Sequence, residues 1–191
     1  MTLPPAASEL AAACADLVTP WHLRAPLLDW DAVTVAFRPR GDDWTDLALD
    51  LCLVNCFQWH LEDECRVQYD EPHALAALKR DIDDSNYRRV LRIDAIDERI
   101  AHHLGDDGAG AGSGPVALVT PGNLLDRISI LELKRYHAGP RQPVADVLRE
   151  QLDDACEGFD RLIADLASSR QTLKRYRTVK LYGATDVCLP M

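Results

Sequence analysis

Apolar residues recur at intervals of three and four through four long stretches of this chain and alternate almost nowhere. Such a pattern calls for helices with one buried face and leaves little material for a sheet. Leu47, Leu51, Val54, Leu61 and Cys65 mark a helix from Asp46 to about Tyr69, with Thr45 as its cap. Glu71-Pro72 ends it, because the residue before a proline disfavours helical backbone. A second helix follows to about Leu104, with Leu75, Leu78, Ile82, Val90, Ile93, Ile96 and Ile100 as its stripe. Thr120-Pro121 opens a third, which runs to His137 before Gly139 and Pro140. The fourth, within residues 143–170, carries Leu148, Leu152, Ala155, Phe159, Leu162 and Leu166 at heptad-like spacing.

The expected fold is therefore all-α: one domain over residues 1–191, a bundle of four main helices with an extra N-terminal helix near residues 8–18, capped by Ser8. Residues 1–45 are otherwise expected to be irregular, with Trp21 and Trp30 anchoring them. Residues 105–115 form a Gly-rich loop without a phosphate-loop pattern, and residues 171–191 form an irregular tail. VTVAF near residue 33 and VKLY near residue 179 are the strand candidates.

The formal net charge of −10 argues against nucleic acid or an anionic membrane as the main partner, since both call for a basic surface. It leaves room for a small phosphorylated or saccharide ligand held by a few arginines, and for a homo-oligomer. No stretch approaches the roughly 18 apolar residues of a membrane span. The N-terminus lacks the basic start of an export signal, and the six cysteines show no CxxC pairing. A cytoplasmic protein with reduced thiols is expected.

Polar residues interrupt the buried stripes. In NCFQWHLEDECR, residues 55–66, helical spacing stacks Asn55, Trp59, Glu62 or Asp63, and Arg66. On the second helix Asn86 and Arg89 occupy apolar positions, with Asp83, Asp94 and Asp97 beside them. A buried amide without a partner costs roughly 2–7 kcal/mol, so these groups need partners, and Glu62 and Asp63 are the expected ones. The third helix is apolar around most of its circumference and still carries Asp126, Arg127, Ser129, Glu132 and Lys134. The simplest arrangement gives the three helices one shared polar site.

Three blocks carry a resemblance: WHLED at 59–63 with Arg66, IDDSNYRR at 82–89, and TPGNLLDRISILELKRYH at 120–137. Together they resemble a bacterial family catalogued as domain of unknown function 4254, with a weaker echo at Lys180-Leu181-Tyr182. The resemblance implies an all-helical protein, often associated with saccharide or envelope synthesis, and supplies no reaction. It does not extend over the N-terminal 45 residues or the Gly-rich loop.

The residues admit several functions. A metal-dependent phosphohydrolase or pyrophosphohydrolase of nucleotides or nucleotide-sugars would hold Mg2+ or Mn2+ on Glu62, Asp63 and Asp83. His60 and Asn86 would then complete the catalytic set, with Asn55, Trp59, Arg66, Arg89, Arg127 and Lys134 binding substrate or phosphate. Against it, the first acidic pair lacks the second glutamate of an ExxE motif. Cys52, Cys56, His60 and Asp63 or Glu64 could instead hold zinc; a di-iron reading fits the residue order less well. A non-catalytic ligand-binding or scaffold protein would use the same pocket without a metal. In the structural alternative, the charged residues form an ion-pair network that sets helix register.

Overall fold

Six helices account for the regular structure of the described residues of the computed structural model, which are 3–24, 28–37, 41, 43–68, 70–105 and 114–176: α1 (Ala7–Leu23), α2 (Trp30–Phe37), α3 (Trp44–Val67), α4 (Pro72–His103), α5 (Pro121–Ala138) and α6 (Val144–Ala167). The all-α bundle matches the periodicity. α3 packs against α1, α2, α4 and α5, while α5 packs against α1, α3, α4 and α6, so these two helices form the middle of the molecule. Their central place explains why each is apolar on several sides: Leu51, Leu53, Val54 and Leu61 of α3, and Leu125, Ile128, Leu131 and Leu133 of α5, are all buried.

Several boundaries differ from expectation. Asp43, not Thr45, caps α3: its carboxylate accepts from the Asp46 N–H at 2.8 Å, and Asp46 reaches back in a reciprocal capping box. α1 starts at Ala7 with no side-chain cap, so Ser8 lies inside it. α1 also runs through Pro20. Pro20 cannot donate to the Asp16 carbonyl, but Asp16 is exposed, and the buried Trp21 holds the last turn in place.

The VTVAF segment is helical, not a strand. Asp29 caps it, accepting from the Asp31 N–H at 2.9 Å, and Trp30 packs edge-on against Phe57 of α3 at 5.2 Å. The guanidinium groups of Arg88 and Arg92 cover the Trp30 ring, so this tryptophan anchors a helix where an irregular segment was expected. Trp21 is 2% exposed within α1. The VKLY segment, the Lys180-Leu181-Tyr182 echo, most of the Gly-rich loop and residues 177–191 lie outside the described residues. The one β-bridge among the described residues joins Val116 to Thr172 and ties the chain after α6 to the approach to α5.

The TPG sequence at 120–122 sets how α5 enters the bundle. Thr120 accepts from the Asn123 N–H at 3.2 Å, and Pro121 fills the first turn. A Cβ on Gly122 would lie 2.5 Å from the Ile93 carbonyl oxygen of α4, so only glycine permits this approach. The Gly122 N–H donates to the buried Asp97 carboxylate at 2.7 Å. Burial pushes the Asp97 carboxyl up to about 6 despite that bond and the one from Thr120.

Candidate functional site

α3 and α4 run antiparallel, with Gln58 opposite Asn86 (3.1 Å) and Asp50 opposite Arg92 (3.0 Å). This register brings the polar stripe of α3 beside the Asn86–Arg89 interruption of α4, and α5 closes the third side. Asn55 is the hub: its amide donates to Asp126 Oδ1 at 2.9 Å and to Ser129 Oγ at 2.7 Å. Arg89 Nε approaches Asp126 Oδ1 at 3.9 Å. Burial raises the Asp126 carboxyl above the usual range, and the Asn55 amide and Arg89 partly restore it. The three helices thus share one polar interior.

The partners inside it are not the expected ones. Asn86 pairs with Gln58 and Arg89 with Asp126, whereas Asp63 pairs with Arg66 of its own helix and Asp83 with Lys79. Helical spacing explains the exchange: residues three or four apart meet without any tertiary packing, so Asp63 and Asp83 find cations locally. Glu62, Arg66, Asp83, Arg127 and Lys134 are exposed. Among the described residues, no group of three or more His, Cys, Asp or Glu side chains is placed to hold a metal ion. Neither Glu62, Asp63 and Asp83 nor the Cys52–Cys56–His60 set comes together in such a group. Cys52 instead donates to the Cys14 carbonyl, and Cys14 donates to that of Ala48, both at 3.9 Å.

Four buried polar atoms in or beside this interior have no hydrogen-bond partner among the described residues: Gln58 Oε1, Trp59 Nε1, His60 Nε2 and Arg89 Nε. A turn further along α3, an aromatic cluster forms that the stripe alone did not reveal. Trp59 stacks on His137 at 4.5 Å with the rings 12° from parallel. His22, at the end of α1, lies 4.9 Å from the His60 ring and 4.2 Å from that of Tyr136. Its Nε2 meets His137 Nε2 at 3.0 Å, while its Nδ1 lies 2.7 Å from the Val18 carbonyl. A carbonyl only accepts, so His22 Nδ1 carries a proton. Burial and then the neighbouring imidazoles hold His60 and His137 below the ordinary histidine range, with Asp63 opposing.

The model of the family described as Protein of unknown function (DUF4254) matches residues 45–175. The chain belongs to this family. No curated protein and no solved structure matches it. The DUF4254 match covers α3 to α6 and with them every residue of the polar interior, while His22 comes from α1, outside the match. His137 and Tyr136 were visible in the sequence as the end of the ILELKRYH run, but helical spacing alone did not connect them to Trp59. Nothing local marked His22: only the packing of α1 on α3 and α5 places it there.

Proposed function

We propose that the protein binds a small polar ligand, phosphorylated or saccharide, where α3, α4 and α5 meet, and that it does so without assembling a metal centre. The observation that carries this reading is the set of unpartnered buried atoms on Gln58, Trp59, His60 and Arg89. An unmet buried donor or acceptor costs about 1–3 kcal/mol, so four on two facing helices favour an occupant that satisfies them. Arg89 supplies the cation for an anionic group and Gln58 and Asn86 supply amide contacts, while His60 lies on the α1 side of α3 against Trp21 and His22. The binding reading is favoured over the phosphohydrolase because Asp63 and Asp83 pair with Arg66 and Lys79 at the surface and do not join in a metal-holding group among the described residues.

The test is calorimetric titration of the full chain with nucleotides, nucleotide-sugars and sugar phosphates, with and without Mg2+ or Mn2+. Metal-independent binding that is lost in Arg89→Ala and Gln58→Ala is expected. Phosphate release that needs the metal and disappears in Asp63→Asn and Asp83→Asn would overturn the binding reading in favour of the hydrolase. If no ligand in the panel binds, the polar interior is reduced to a register-setting network.

A further inference from the structure

A second seam lies where α5 packs against α1 and α6, and there the packing leaves a cavity of about 340 Å3. Helix seams normally interdigitate to the density of an organic crystal. This one stays open where Ala15 of α1, Ala145 of α6 and Gly139 after α5 add little bulk to the wall. Val18, Thr19 and Tyr136 line part of the rest of the wall, and three charged residues complete it. Glu132 is only 6% exposed and stands on the cavity together with Arg135 from its own helix and Arg149 from α6.

The hydrogen bonds leave capacity unused. Arg135 directs Nη1 at both Glu132 oxygens, at 2.9 and 2.8 Å, and Arg149 directs Nη2 at Asp146 at 2.8 Å. A guanidinium has five N–H donors, so each retains donors beyond those bonds. Two such forks on facing helices suit the planar oxygens of a carboxylate or phosphate. Glu132 in its ionised form only accepts, so it suits a hydroxyl on the same ligand. The volume falls at the lower end of the range of about 300–1,000 Å3 typical of small-molecule sites.

The geometry points to a binding site at this α1–α5–α6 seam for a small hydroxylated organic anion, with its charge against Arg135 and Arg149 and its hydroxyl on Glu132. The site is separate from the α3–α4–α5 interior and does not depend on how that interior functions. A carboxylate and a phosphate ester share the required chemistry, and the probes distinguish them.

Titrate the full chain at physiological salt with malate, glycerol 3-phosphate, inorganic phosphate and, as an uncharged control, glycerol. Malate or glycerol 3-phosphate should bind saturably and glycerol should not, with the tighter of the two naming the anion. Arg149→Ala, at an exposed position, should weaken binding by about tenfold or more while the protein stays folded. Ala145→Leu, which fills the space, should abolish binding with the melting temperature kept or raised. Glu132→Gln should narrow the preference for glycerol 3-phosphate over inorganic phosphate. Absence of binding by every charged probe would overturn the site, as would equal binding in Arg149→Ala and Ala145→Leu. Loss in Arg89→Ala instead would move the anion to the other face and overturn it equally.

Discussion

The imidazoles of His22, His60 and His137 converge from three helices, and the protonation of His60 and His137 is the most direct handle on the site. Burial comes first, and neighbouring imidazoles second, in holding His60 and His137 below the ordinary histidine range. The folded state therefore takes up fewer protons than the unfolded chain as pH falls. Their contribution to stability is complete above the unfolded value of about 6.5 and is lost as pH drops through it. Asp97, raised to about 6, acts oppositely and gains as pH falls. Thermal melts between about pH 7.5 and 5 should show a smaller acid loss in His60→Gln and His137→Gln than in the parent; parallel curves would refute the coupling. At Asn55, 5% exposed, truncation to alanine leaves Asp126 without its amide donor. Urea unfolding should show a loss of about 1–3 kcal/mol.

At the scale of the elements, the junction of α4 with the start of α5 is the most constrained. A Cβ at Gly122 would meet backbone, which cannot swing aside as a side chain would. Gly122→Ala should therefore destabilise by about 1–3 kcal/mol in urea titration, an overpacking cost larger than the gain of about 1 kcal/mol in helix propensity. Unchanged or higher stability would show that α5 can shift away from Ile93. The element ends also show where periodicity misleads. α2 was hidden because Val33, Thr34 and Val35 resemble a strand, while its helical state depends on the Asp29 cap and on Trp30 docking against Phe57. Asp43 and Thr45 are both of types that cap helices, and only the reciprocal bond with Asp46 separates them.

Across the whole molecule, the cysteines report on packing. Cys14, Cys52 and Cys56 are buried; the hydrogen bond with Cys52, then burial, raises Cys14 well above the usual thiol range, and Cys52 is raised too, its bond with Cys14 opposing and its contact with Cys56 and burial prevailing. Thiol labelling located by mass spectrometry should reach Cys65 and Cys156 before any of these three, which should react only on unfolding. Early labelling of Cys52 would mean that the α1–α3 seam opens. No helix among the described residues is long and apolar enough to cross a membrane. The helices themselves were legible because spacings of three and four are a local property of the chain: α3, α4, α5 and α6 fall close to the positions that Leu51, Ile82, Leu125 and Phe159 mark. So was the need for a polar interior, since Asn55, Asn86, Arg89 and Asp126 interrupt otherwise apolar stripes. The pairing inside it was not legible. Which carboxylate meets Arg89 depends on the rotation and register of three helices, and local ion pairs had already claimed Asp63 and Asp83. Tertiary packing alone brings His22 to His137 across 115 residues and leaves the cavity beside Glu132, because the first depends on how α1 meets α5 and the second on how α1, α5 and α6 pack together, not on any one helix by itself.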